Sequence, residues 1–387
     1  MLGCLSYDQK VCMNMKKKVG ILTHYYGSHN YGGLLQAYAL CKVLDKAKYD
    51  AKQISFLIRQ LDPKSRQNKE NTVKRLASHA LDIVLLPRRN IRKRYKCMEA
   101  FAELIPHTQK VYSSEDIGDV NNLFDQFVVG SDQVWNLEWF NPEFFLSFAK
   151  PGKRCIAYAA SMGKLPTDPE SIEFTRQAIE RFDAVSVREG DLELFLETIT
   201  KEKRCIRVLD PTLLLSAEDW DEMCAERVVR DPYVFCYFLG KNKYERIAAQ
   251  QYAKRNRCKI VTIPYMSGKV EMSELCWGDI RLNVVSPTHF VSLIKYAHCI
   301  FTDSFHAVVF SNIYNKEFYV FNRDGTAMLD SRIDDVVRLF GTQERYLREK
   351  PGVGIILEKH LTYRQEEAQQ LVEAKQESIR FLLDNLE

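Results

Sequence analysis

The feature that most constrains this chain is an alternation of short apolar runs with amphipathic stretches, repeated in two series. The first series reads VGILTHY (19–25), LLQAYALCKVLDKA (34–47), KQISFLI (52–58), FDQFVVG (124–130), RCIAYAAS (154–161), SIEFTRQAIERF (171–182), DAVSVRE (183–189), GDLELFLETI (190–199) and RCIRVLDP (204–211). The second begins at YVFCYFLG (233–240) and continues through KYERIAAQQYAKRN, CKIVTIPY, SPTHFVSLIKYA, HCIFTD, HAVVFSNIY, EFYVFN and SRIDDVVRLFG. Continuous apolar runs of strand length suit strands buried on both faces, and the intervening segments carry the helical period. Such a pattern predicts an α/β fold of two Rossmann-like domains, each an open, mainly parallel sheet. At 387 residues the chain exceeds one ordinary core, which also favours two domains. We expect a disordered leader over 1–18, an N-terminal α/β domain over 19–215 and a C-terminal α/β domain over 216–345. A helical segment follows over 346–387, ending in one long polar-rich helix from about residue 361.

Several function classes are excluded at this level. No apolar run approaches the ~20 residues of a membrane-spanning helix, and the N-terminal MLGCLSYDQKVCMNMKKK lacks the layout of a secretory signal. Eleven scattered cysteines with no CxxC pair read as free thiols of a reducing compartment. No metal-ligand spacing is present, so no metal is expected. The net charge is only +4, yet residues 64–96 hold eleven basic residues against Glu70 and Asp82. The bland reading of this segment is a solvated helix (72–87, closed by Pro87) and loop. The sharper one is a peripheral contact with an anionic membrane or a pyrophosphate-linked acceptor. The single aromatic in RRNIRKRYK, without an RNA-binding signature, argues against nucleic acid.

In doubly wound sheets ligands gather beyond the carboxyl ends of the strands. The polar residues just after the predicted strands are therefore the site candidates. They are His24 to Gly33, Ser131-Asp132-Gln133, Ser161-Met162-Gly163, Arg188-Glu189, Asp210, Thr302 to His306, and Asn322-Arg323. In SHNYGG, two glycines ahead of a helix allow close backbone approach to an anion, although neither a GxGxxG nor a Walker spacing is present. In GSDQVW, Asp132 suits a sugar hydroxyl and Trp135 a sugar face; an N-cap and a core residue are the structural alternatives. Arg188 ends an apolar strand, where it could grip a carboxylate or phosphate or else pair with Glu189 or Asp191. His306, in IFTDSFHAVVFSN, falls in the first turn of a helix. The positive end of the helix dipole disfavours imidazolium there and lowers the pKa, whereas a bound phosphate would raise it.

Taken in order, NYGGLLQAYAL, VVGSDQVWN, YAASMG, SVREGDLELFL, VLDPTLLL and TDSFHAVVFSN resemble the polysaccharide pyruvyl transferase family over about 19–325. The resemblance implies a glycosyltransferase-B-like pair of domains facing each other across a cleft. It implies transfer of the enolpyruvyl group of phosphoenolpyruvate onto sugar hydroxyls of a cell-surface polysaccharide or its lipid-linked precursor. A pyruvate ketal forms, phosphate is released, and no cofactor is needed beyond phosphoenolpyruvate as co-substrate. It places His306 on the family's functional histidine, Arg188 on a donor-binding arginine, and Asn30 and Gly32 in the N-terminal glycine loop. Many members carry a basic residue shortly before the histidine, where this chain has Phe305; Arg323 is the expected substitute. The mechanism so drawn also uses Ser304 and Gly33 as donor-binding positions, with Asp132, Gln133 and Trp135 on the acceptor side. Its expected location is cytoplasmic, at the inner face of the membrane. Two rival readings are a nucleotide-sugar-dependent glycosyltransferase of the same architecture and a non-catalytic carbohydrate- or anion-binding protein.

Overall fold

The computed structural model describes residues 16–58, 86–200, 204–265, 276–323, 330–348 and 365–386. Residues 1–15 of the expected leader (1–18) and residues 64–85 of the basic segment (64–96) lie outside this set, while Lys18, the last residue of that leader, already opens a strand.

The first half builds a six-stranded parallel sheet from β1 (Lys18–Leu22), β2 (Asp50–Gln53), β3 (Gln126–Val129), β4 (Arg154–Ala160), β5 (Ala184–Val187) and β6 (Cys205–Arg207), in the order β2-β1-β3-β4-β5-β6. The second half builds another from β7 (Tyr233–Tyr237), β8 (Lys259–Thr262), β9 (Ile280–Arg281), β10 (Cys299–Thr302), β11 (Glu317–Phe321) and β12 (Tyr346–Leu347), ordered β12-β11-β10-β7-β8-β9. Every strand pairing is parallel. Parallel pairing forces crossovers, and buried runs such as FVV and IFT are what a sheet covered on both faces requires. Strands β9 and β12 have two residues each and carry no legible period. Both orders reverse once. The reversal lies between β1 and β3 in the first sheet and between β7 and β10 in the second, and at such points the loops diverge and open a crevice.

The helices, numbered in chain order among the described residues, are α1 (Tyr31–Lys46), α2 (Leu86–Ala102), α3 (Pro169–Glu180), α4 (Gly190–Ile199), α5 (Pro211–Leu214), α6 (Ala217–Asp221), α7 (Lys243–Arg255), α8 (Pro287–Lys295), α9 (Phe305–Ile313), α10 (Asp330–Leu339) and α11 (Gln365–Asp384). One boundary corrects the sequence reading. Helix α1 starts at Tyr31, so Gly32 and Gly33 lie inside its first turn instead of in a preceding loop. The Asn30 side chain makes this possible by capping Gly32 N at 2.9 Å and Gly33 N at 3.5 Å. Pro87 stands in the first turn of α2, a place where a missing N–H costs nothing; the rest of the helix read over 72–87 lies outside the described residues.

The two halves share an apolar seam. Tyr31 stacks on Phe290 of α8 with ring centroids 4.7 Å apart, and its hydroxyl donates to the Val285 carbonyl. Trp220, fully buried, packs against Tyr38 and against Phe310 of α9. Arg94 of α2 is also buried and donates to the Asn283 and Pro264 carbonyls of the second half. One of the eleven basic residues therefore ties the halves together instead of facing a partner, while Arg89, Arg92, Lys93 and Lys96 stay exposed. Helix α11 returns to the first half: Ser378 Oγ accepts from Leu209 N, and Gln126 donates to the Leu386 carbonyl. No helix among the described residues is long and apolar enough to cross a membrane. The nine described cysteines are free, and Cys41, Cys155, Cys236 and Cys299 are buried.

Candidate functional site

The two switch-point crevices face each other, and the candidate residues meet where they join. From the first half, β1 leads to His24 and Asn30, β3 to Ser131 and Asp132, β5 to Arg188 and Glu189, and β6 to Asp210. From the second, β10 leads to Asp303, Ser304 and His306, and β11 to Arg323. Gly32 presses directly on the His306 ring: a Cβ at Gly32 would lie 1.9 Å from His306 Nδ1. Only a glycine admits the imidazole at this point.

Asp210 organises the centre. It is fully buried and N-caps α5, with Oδ1 taking the Thr212 hydroxyl at 2.6 Å and its backbone N–H at 3.0 Å. Its Oδ2 accepts from Arg188 Nη1 at 2.9 Å, lies 3.0 Å from the Ser131 hydroxyl and sits 3.8 Å from His306 Nε2. Arg188 is held on three sides. It donates to Glu189 Oε1 at 3.1 Å, its Nη2 stands 3.9 Å from Asp132 Oδ1, and its guanidinium lies over the Phe305 ring at 4.7 Å. Phe305 thus supplies a cation–π floor for Arg188. Arg188 pairs with Glu189 and Asp210, not with Asp191. Its Nη2 has no hydrogen-bond partner among the described residues, and neither has His306 Nε2.

The charges are tuned in opposite directions. Burial lowers the His306 pKa and outweighs the pull of Asp210 and Asp132 the other way. The imidazole is therefore neutral at pH 7, and desolvation is the main cause. Burial works to raise Asp132 and Asp210, yet both end below the ordinary carboxylate value. Arg188 and His306 outweigh burial at Asp132, and His306 and Arg188 do so at Asp210. Glu189 goes the other way: burial raises it against the opposing effect of Arg188 and Arg332. His24 is lowered by burial and packs on Phe144 with centroids 4.3 Å apart. A base lowered and an acid raised within one site is an arrangement suited to proton transfer in both directions.

The remaining candidates divide. Asp132 takes a left-handed backbone, φ +72°, and reaches the site with a partly exposed side chain. Gln133 lies beside it, and with its carboxamide oxygen turned outward it accepts from Arg332 Nη1 at 3.1 Å. Ser304 N-caps α9 without a side-chain bond, and its N–H donates to Thr302 Oγ1. Arg323 Nη2 donates to the Asp303 carbonyl at 3.1 Å, and its Nε lies 3.5 Å from Asp303 Oδ2. Asp303 in turn takes the N–H groups of Leu239 and Gly240, which knits the second switch point together. The N–H groups of Gly32 and Gly33 are occupied by the Asn30 cap. Trp135 is a correction: it is wholly buried, stacks on Phe145 at 5.5 Å, and donates its indole N–H to the Phe144 carbonyl, so no sugar can reach its face.

Two residues emerge that the sequence did not single out for a role. Asp210 was visible as a post-strand acid, and VLDPT carries the Asp-Pro signature of a helix start. Arg332, in the first turn of α10, reaches across from the second half to within 4.0 Å of Glu189 Oε1. It lines a small cleft with Met162, Gly163, Glu189, Leu192 and Ser331. No group of three or more His, Cys, Asp or Glu side chains suited to a metal ion occurs among the described residues.

Comparison with known proteins bears on the fold and the family. The chain is similar in fold to UDP-GlcNAc 2-epimerase of Methanocaldococcus jannaschii in complex with UDP-GlcNAc and UDP, at TM-score 0.54 and 14% identity over 95% of this chain and 99% of that one. It is also similar to UDP-GlcNAc 2-epimerase of Neisseria meningitidis bound to UDP-GlcNAc, at TM-score 0.49 and 12% identity over 96% and 99%. The first of these is a likeness of fold, two parallel-sheet α/β domains in a glycosyltransferase-B-like arrangement. No curated protein matches the sequence. The profile of the polysaccharide pyruvyl transferases matches residues 30–325 and spans both switch points. The chain belongs to the polysaccharide pyruvyl transferase family, and is a polysaccharide-modifying transferase.

Proposed function

We propose that the protein transfers the pyruvyl group of phosphoenolpyruvate to two hydroxyls of a sugar, forming a cyclic ketal and releasing phosphate. The acceptor is a cell-surface polysaccharide or its lipid-linked precursor, modified on the cytoplasmic side. The observation that carries this reading is the neutral His306 imidazole, with a free Nε2, set among Asp210, Asp132 and Arg188 where the halves meet.

The reaction needs one proton delivered to the donor's methylene carbon and two removed from sugar hydroxyls. In the proposed sequence an acid protonates that carbon, making it a methyl group and leaving oxocarbenium character at C2. The first hydroxyl oxygen bonds to C2 as His306 Nε2 takes its proton. The C2–O bond to phosphate breaks. The second hydroxyl closes the ketal and gives up its proton, so that of the two protons lost one balances the methyl group and one leaves on phosphate. Neutral His306 suits the base, and Glu189, raised by burial, suits the acid. Arg188 and Asp210 hold the imidazole's surroundings fixed, and Asp132, partly exposed, suits the acceptor side. The exposed bases of α2 suit an anionic membrane or pyrophosphate-linked acceptor; flotation with anionic vesicles at low salt tests this, and no association would discard it.

The test of function is thermal-shift screening with phosphoenolpyruvate, UDP, GDP and phosphate. A ligand that binds the native state raises the melting temperature by mass action. Stabilisation by phosphoenolpyruvate is expected; stabilisation by UDP or GDP alone would favour a nucleotide-sugar glycosyltransferase.

A further inference from the structure

Resting on that reading, we infer that Arg332 of α10 seats the donor's phosphate across the interdomain cleft, making the donor site a product of both halves. The guanidinium is largely buried, with a side-chain exposure of 12%. With its carboxamide turned, Gln133 accepts from Nη1 at 3.1 Å and from Nη2 at 3.3 Å, whereas Nε has no hydrogen-bond partner among the described residues. Its nearest carboxylate oxygen, Glu189 Oε1 at 4.0 Å, already accepts from Arg188 Nε at 3.1 Å. One oxygen of Glu189 thus faces two guanidiniums, and Arg188 has Asp210 besides. Desolvation and the neighbouring Arg188 push Arg332 down to about 10, away from the ordinary arginine value. A buried cation without a full set of partners is costly unless something anionic completes it.

The surroundings say which end of the donor belongs there. Arg188 is sealed, with a side-chain exposure of 3%, whereas Arg332 lines a cleft that opens between Gly163 and Leu192 on one half and Ser331 on the other. The phosphate is the fragment that must leave, so its seat belongs at the cleft and not behind it. Helix α10 is locked in position beside this cleft. Three residues on from Arg332, on the same helical face, Asp335 accepts from Gly190 N at 3.0 Å and from Arg207 Nη1 at 2.8 Å, capping α4 from the opposite half.

The experiment is calorimetric binding of phosphoenolpyruvate, inorganic phosphate and pyruvate to the full chain and to Arg332→Gln and Arg332→Lys, with the melting temperature of each free protein. Arg332→Gln is expected to weaken phosphoenolpyruvate and phosphate at least tenfold, with Arg332→Lys in between and pyruvate binding little changed. Because the substitution removes an under-partnered buried charge, the free variant is expected to melt at or above the wild-type temperature. Phosphate or phosphoenolpyruvate affinity within twofold of wild type in Arg332→Gln overturns the inference. So does a variant that fails to fold or melts well below wild type with its affinity intact, since that is the signature of a structural arginine. If the wild type binds phosphate but not phosphoenolpyruvate, the proposed donor falls, while the phosphate comparison still decides the role of Arg332.

Discussion

Gly32→Ala gives the sharpest mutational test of the site. The added Cβ would lie 1.9 Å from His306 Nδ1, 2.3 Å from Cε1 and 2.5 Å from Cγ. Ordinary carbon contacts are about 3.5–4.0 Å, so the ring has to retreat by roughly 1.5 Å. It has little room, because His306 is buried and bounded by Asp210 at 3.8 Å and by Phe305. The stability terms offset only in part. Overpacking costs about 1–3 kcal/mol, while alanine gains about 1 kcal/mol over glycine in a helix interior, less in the first turn where Gly32 stands. A net loss of up to about 3 kcal/mol is expected. The rate has no such compensation: misplacing a reacting group by an ångström can cost about 10². Phosphate release from phosphoenolpyruvate in the presence of acceptor, read beside urea denaturation, should show a turnover about a hundredfold down in a folded protein. Gly33→Ala is the control, since its Cβ meets the His24 carbonyl at 3.1 Å and Asp132 Oδ2 at 3.4 Å, a tight fit that small shifts relieve. Turnover of Gly32→Ala within threefold of wild type would show that His306 need not stand where the structure places it.

Other perturbations separate chemistry from architecture. His306→Ala should lose ~10²–10⁴ in turnover while remaining folded, as a cooperative urea transition would show. Burial holds the His306 pKa below its ordinary 6.5, so wild-type kcat/KM should fall as pH drops through a value under 6.5, and an acid limb centred above 6.5 would contradict a neutral base. The same depressed pKa makes folding stability from this residue complete above 6.5 and progressively lost as pH falls towards the folded-state value; pH-dependent urea melts compare the two. Arg188→Ala leaves Asp210 and Glu189 buried without their main cation and should cost roughly 3–5 kcal/mol, seen as a lower urea midpoint; no change would mean the pair is not buried as described. Trp135→Ala should cost roughly 3–5 kcal/mol as a core deletion, whereas a selective rise in acceptor KM at unchanged stability would restore it to the acceptor site.

Much of the fold was legible because buried parallel strands write uninterrupted apolar runs, as in FVV before Gly130 and CIFT before Asp303. The switch points, and hence His306 and Arg188 near one another, follow from reading which residues come just after those runs. What escaped did so for physical reasons. Glycine is a poor helix former, so YGG read as loop; the Asn30 cap overrides that preference and was the signal available. Trp135 and a surface tryptophan look alike in sequence, since its partner Phe145 is ten residues away and the burial is tertiary. Arg332 was read within its helix, but its direction depends on how the two halves dock. No local pattern links it to Glu189, more than a hundred positions earlier.

The central claim is tested most directly by incubating the protein with phosphoenolpyruvate and a sugar acceptor and examining the acceptor by NMR alongside phosphate release. The account predicts a new ketal methyl signal on the acceptor, in step with phosphate and absent with His306→Ala. Phosphate released with no such signal, or a ketal formed equally well by the variant, would contradict it.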